Sequence, residues 1–133
     1  MNPVLQTYLA VMAGGAVGTG LRLFITMAML ARFGETFPWG TIIVNISGCF
    51  VIGLFSGLSG PEGSLLASPL VRQVVMIGVL GGFTTFSSFS LQTIALLSEG
   101  EWFYALANVI VSFLFCLAGT WGGLALAAVW SPK

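Results

Sequence analysis

Histidine and aspartate are missing from this sequence of 133 residues, and cysteine occurs only twice. Zinc sites with their usual ligand sets, and nucleophiles driven by a histidine base, are therefore all but excluded. Charge is equally scarce. Lys and Arg together number four, the four acids are all glutamates, and charged residues make up 6% of the chain. Soluble domains carry roughly 25%, so a soluble fold is excluded as well. Cys49 and Cys116 fall inside apolar stretches, where a free thiol acts as a small hydrophobe, and they do not point to an oxidising compartment.

Hydrophobic residues fill 57% of the chain, and a bilayer crossing needs about 20 of them in a row. Four such stretches fit, from about Val4 to Phe33, Trp39 to Leu58, Pro69 to Leu97 and Glu101 to Trp130. The expected fold is an all-α membrane protein, one four-helix transmembrane domain over residues 1–133. The N-terminus has no basic stretch before its apolar run and is read as a retained helix, not a signal peptide. Trp39, Trp102, Tyr104 and Trp130 lie near span ends, as an aromatic belt requires. Ser59 to Ser64 reads as a turn. Four helices enclose little space, so a solute path is expected between subunits.

Glycines recur four apart at Gly14/Gly18, Gly53/Gly57, Gly78/Gly82 and Gly119/Gly123. That spacing lets helix backbones approach closely in lipid, although 18 glycines also produce some such pairs by chance. The basic residues are Arg22, Arg32, Arg72 and Lys133. With the N-terminus inside, Arg72 and Lys133 fall on the cytoplasmic side and Arg32 outside. The positive-inside bias is then nearly absent, which makes insertion in both orientations, and an antiparallel dimer, plausible.

The four acids lie in loops or at span ends, so the ionisable residue within a span is Arg22. A fixed positive charge favours anions; the competing reading is an arginine snorkelling to the headgroups. The third span carries Gly81-Gly82-Phe83-Thr84-Thr85-Phe86-Ser87-Ser88-Phe89-Ser90. Paired glycines followed by paired threonines weaken a helix, and an interruption is expected near Gly81-Gly82. Carbonyls freed there are hard ligands suited to a small alkali cation. Phenyl edges are positive, so Phe86 and Phe89 can approach an anion while Ser87 and Ser88 donate hydrogen bonds. Against this stands an ordinary apolar helix whose serines bond back to the preceding turn. Thr41 and Asn45 share one face of the second helix, and Asn108 and Ser112 share one face of the fourth. Either pair alone reads as interhelical hydrogen bonding; together they suggest a narrow path lined by hydroxyls and amides.

The run at 81–90 resembles the signature of the bacterial Fluc (CrcB) fluoride channels. Gly-Gly-x-x-Gly-x-x-x-Arg at 14–22 and Gly-Thr-x-x-Val-Asn at 40–45 extend the resemblance over essentially the whole chain. It implies passive fluoride export across the bacterial inner membrane through two pores of an antiparallel homodimer. Phe86 and Phe89 would be the pore phenylalanines, Asn45 the pore asparagine and Ser112 a polar pore position. Ser87 and Ser88 match a hydroxyl track, and Thr41 and Arg22 match further polar positions. Carbonyls of Gly81 and Thr84 from both subunits would hold a structural sodium ion on the dimer axis. Gln92 stands where such channels usually carry glutamate, which leaves Arg22 without that carboxylate. No nucleic acid, and no enzymatic activity, is expected. The main rival is a small four-helix multidrug/proton antiporter, which needs an intramembrane carboxylate that no span supplies.

Overall fold

A computed structural model describes residues 2–61 and 63–131. Glu62 of the expected turn and Lys133 of the charge comparison lie outside the described residues. The described residues form helices joined by short connections and contain no strand. Helix α1 (Pro3–Phe33) opens where the Asn2 side chain accepts from the Val4 N–H at 2.9 Å. Pro3 sits at its first position, where the missing N–H is harmless. The helix stops at Gly34, whose φ of 75° suits glycine.

Helix α2 (Trp39–Leu58) has 20 residues, about 30 Å of helix and so the thickness of a bilayer core. The third span is composite. It runs through α3 (Pro69–Gln73), a π-helical turn (Val74–Val79), α4 (Leu80–Phe83) and α5 (Phe86–Ser98). Between α4 and α5, Thr84 (ψ 158°) and Thr85 (ψ 112°) are extended. Gly81 and Gly82 are themselves helical, so the residues that leave the helix are the threonines after them. Helix α5 closes with Gly100 at φ 82°, where the Glu101 N–H returns to the Leu96 carbonyl at 2.9 Å. Helix α6 (Trp102–Trp130) completes the fold. Each of the four spans is long and apolar enough to cross a membrane, and the chain is a multi-pass membrane protein.

The glycine pairs explain how the helices meet. A Cβ on Gly14 would stand 2.9 Å from the Val74 carbonyl oxygen, and one on Gly18 would fall on that of Val79. From the other side, a Cβ on Gly78 would stand 2.7 Å from the Val11 oxygen, and one on Gly82 2.6 Å from the Gly15 oxygen. The first and third spans thus cross backbone to backbone. The second crossing repeats this logic. Gly53 abuts Thr120, Gly57 abuts Ala127, Gly119 lies against Ile46, and Gly123 against Phe50 and Leu54. All four sequence pairs are contact surfaces, each matched to another.

What remains inside is thin and unusually polar. Buried Ile42, Val44, Leu80 and Leu96 sit among buried Thr41, Asn45, Thr85, Thr93, Asn108 and Ser112. Large apolar side chains face outward instead, among them Phe24, Leu91, Phe103 and Phe113. In water that inversion would be ruinous. In lipid it is the expected arrangement, because packing and hydrogen bonding hold the helices together there.

Candidate functional site

The extended residues after Phe83 free backbone groups that α-helix would have paired, and at membrane depth those groups need partners. Asn45, on α2, supplies two. Its Nδ2 donates to the Thr85 carbonyl at 3.0 Å, and its Oδ1 accepts from the Thr85 N–H at 2.7 Å. The side chain acts as a strand neighbour for one residue. Its place on a buried face of α2 is secured by Gly48, one turn further on, which lets Phe83 and Thr84 lie against the helix.

Thr85 also starts α5. Its Oγ1 accepts from the Ser88 N–H at 3.2 Å and lies 3.0 Å from Ser88 Oγ and 3.2 Å from Ser87 Oγ. This is an N-cap built from the run of hydroxyls. Phe86 and Phe89 follow on the first turn of α5, with ring centroids 5.3 Å apart and planes tilted by 45°. Phe86 is 77% exposed, and Ser87 beside it is exposed too. Asn45, Ser87, Ser88, Phe86 and Phe89 are therefore gathered about one point, where α2 meets the start of α5.

A second polar set lies between α5 and α6. Asn108, fully buried, donates from Nδ2 to Thr93 Oγ1 at 2.9 Å. Thr93 Oγ1 in turn donates to the Phe89 carbonyl at 2.8 Å, and Ser112 Oγ lies 3.4 Å from Asn108 Oδ1. Thr93 was not among the residues singled out from the sequence, and Thr85 was noted only as one of the paired threonines that weaken the helix. For Thr93 the spacing held the signal: it follows Phe89 by four residues on one face of α5.

Thr41 and Gln92 are brought together elsewhere, on the wall of a cavity of about 350 Å³ between the end of α1, the start of α2 and the end of α5. Arg22 is half-buried on α1 and belongs to neither hydrogen-bonded set.

Gly81 and Thr84 were expected to offer carbonyls to a cation, and local bonding bears on their fitness for it. In a continuous helix these oxygens would accept from the N–H groups of Thr85 and Ser88. Here the Thr85 N–H is held by Asn45 and the Ser88 N–H by Thr85 Oγ1. Both carbonyls are thus released from their helical donors, and carbonyl oxygen is a donor type that suits hard cations.

Residues 9–124 match the family described as CrcB-like protein, Camphor Resistance (CrcB). The chain is 51% identical to a protein of Rhodospirillum rubrum named fluoride-specific ion channel FluC, over 89% of this chain and 92% of that one. Proteins of the same name from Opitutus terrae and Methylocella silvestris are 49% and 46% identical, each over 90% of this chain. These alignments cover 90% and 92% of the two relatives.

Proposed function

This chain belongs to the CrcB-like family, and from that premise we infer that it is a fluoride-specific ion channel, not an enzyme. Fluoride moves passively, down its electrochemical gradient, across the bacterial inner membrane. The observation that carries this reading within the fold is the Asn45–Thr85 pairing, which stabilises irregular backbone inside an apolar span. Such backbone is tolerated at membrane depth where it lines a path or is buried in protein.

The pores are proposed to lie between two antiparallel copies. Phe86, Phe89, Asn45 and Ser112 line each pore, with Ser87 and Ser88 beside the rings and Asn108 behind Ser112. Thr41, Gln92 and Arg22 stand towards its ends. Fluoride is small and strongly hydrated, so its path has to replace water with donors. Hydroxyls and amide N–H groups do so, and phenyl edges add a weaker positive field. A narrow bore of this kind rejects larger anions by size.

A sodium ion is proposed at the dimer axis, held by the carbonyls of Gly81 and Thr84. One chain offers too few oxygens, because hard cations take on the order of six; a second copy would double the set. When bound, the ion would neutralise carbonyl dipoles that face one another across the interface. The antiporter reading lacks its carboxylate among the described residues, since Glu35 and Glu99 lie between helices and Glu101 stands at the N-cap position of α6.

Fluoride efflux from liposomes carrying the purified protein, followed with a fluoride electrode against chloride-loaded controls, tests the reading. Rapid fluoride release without chloride release is expected. Equal release of both ions, or none from protein verified as folded, would remove it.

A further inference from the structure

Most hydroxyls on these helices bond back into their own helix. Thr7, Ser90, Thr93, Ser98 and Thr120 each donate to the carbonyl four residues earlier, at 2.8 to 3.1 Å, the usual recourse of a hydroxyl on an apolar helix. Thr19 departs from this habit. Its Oγ1 donates to the Gly82 carbonyl at 3.4 Å, across 63 positions of chain. Among the described residues it is the one hydroxyl that donates to a carbonyl of another span.

Packing puts Thr19 there. Gly15, Gly18 and Thr19 share one face of α1. A Cβ on Gly18 would stand 2.9 Å from the Phe83 nitrogen, and one on Gly82 3.1 Å from the Gly15 Cα. Backbone lies on backbone at this crossing, and the side chain next to it on that face is Thr19.

Gly82 needs the donor. In a continuous helix its oxygen would accept from the Phe86 N–H, but Thr84 and Thr85 are extended and carry that group away. The Gly82 carbonyl is thus released by the same break as those of Gly81 and Thr84. A carbonyl left unpaired at membrane depth is disfavoured. Thr19 pairs this one from within the chain, whereas the carbonyls of Gly81 and Thr84 are left to a neighbour from outside.

We propose that Thr19 is a positioning residue for the interfacial sodium ion. By holding the Gly82 carbonyl against α1, it fixes the peptides on either side of that carbonyl. It thereby sets which oxygens face the ion and how rigidly they are spaced. The role rests on the sodium reading given above. Discrimination between cations depends on the size and stiffness of the oxygen cage, so Thr19 acts on ion choice as well as on affinity.

The test is the dimer fraction of the purified protein in maltoside micelles, by sedimentation equilibrium, as sodium chloride replaces N-methylglucamine chloride at constant ionic strength. Wild type is expected to dimerise with a measurable sodium midpoint. Thr19→Val exchanges the hydroxyl for a methyl of similar size and should raise that midpoint by about three- to tenfold. Thr19→Ser keeps the hydroxyl and should stay within about twofold of wild type. A second titration uses potassium. The ratio of potassium to sodium midpoints should fall in Thr19→Val, a change that lost packing alone would not produce. Circular dichroism verifies that each variant is folded. An unchanged sodium midpoint in folded Thr19→Val, an unchanged ion ratio, or an equal rise in Thr19→Ser would overturn the role of Thr19 and leave the sodium reading standing. A wild-type dimer indifferent to sodium would remove both.

Discussion

Replacing Asn45 with leucine removes both bonds to Thr85 while keeping the branched shape of the side chain. The Thr85 N–H and carbonyl, bonded to Asn45 at 2.7 Å and 3.0 Å, then face a hydrocarbon side chain. A buried polar group left without its partner costs about 1–3 kcal/mol, so the two groups together lose about 2–6 kcal/mol. Leucine returns roughly 1 kcal/mol through its extra buried methyl surface. A destabilisation of about 3 kcal/mol is therefore expected. It can be measured by equilibrium unfolding in mixed maltoside and dodecyl sulfate micelles, with circular dichroism as the signal.

The comparison that sharpens this is Asn45→Asp, which keeps an acceptor for the Thr85 N–H but loses the donor to its carbonyl. It should fold and still lose fluoride flux. Hydrogen bonds between membrane helices average only about 0.6 kcal/mol in direct measurements. If Asn45→Leu costs less than about 1 kcal/mol in total, Thr85 finds other partners and the pairing does not hold the extended backbone.

Three further outcomes are expected. Gly18→Ala drives a methyl into the Val79 carbonyl and should cost about 1–3 kcal/mol, whereas Gly20→Ala meets nothing within 4 Å and should be neutral or slightly stabilising; the same unfolding assay separates them. Phe86→Ile keeps the bulk but removes the ring edge, and should lower fluoride efflux by about tenfold or more while the oligomer elutes unchanged on gel filtration. Exchanging sodium for N-methylglucamine should shift the monomer–dimer balance towards monomer, by the linkage between ion binding and association; an unchanged balance would remove the sodium proposal.

Much of the fold was legible because membrane solvation imposes strict rules. Twenty-residue apolar runs and the shortage of charge gave the four spans, and α2 runs from Trp39 to Leu58 as its composition required. The glycine pairs were ambiguous from spacing alone. In the folded protein Gly14/Gly18 meet Gly78/Gly82, and Gly53/Gly57 meet Gly119/Gly123. Pairing between helices is a long-range property with no local code. The extended residues fell just beyond their expected place for a related reason. Gly81-Gly82 suggested weak helix, but the absent side chain at Gly82 is used for approach to Gly15, not for unusual dihedrals. Thr85 is extended because Asn45, forty residues away, satisfies its backbone. The spacing of Thr93 places it on a face with Phe89, but its partner Asn108 lies on another helix, and no local pattern names that partner.

One chain leaves the gathered residues in an unfinished state, and that bears on the proposed dimer. Ser87 is exposed and Phe86 is 77% exposed, although Asn45 and Thr85 directly behind them are buried. Lipid would tolerate the phenyl ring but not a serine hydroxyl beside released carbonyls, since hydrocarbon offers those groups no hydrogen bonds. Gly81 is exposed as well, its helical donor already taken by Asn45. The carbonyls of Gly81 and Thr84, released from their helical donors, call for a polar or ionic neighbour from outside the chain, and they lie close to Phe86 and Ser87 on the third span. A second copy laid antiparallel across that segment would meet its own equivalent groups there. The same contact would cover the hydroxyls, enclose the rings and bring the carbonyls together. Disrupting it should therefore abolish conduction and sodium dependence at once, which is the pattern that separates a pore between subunits from a pore within each one.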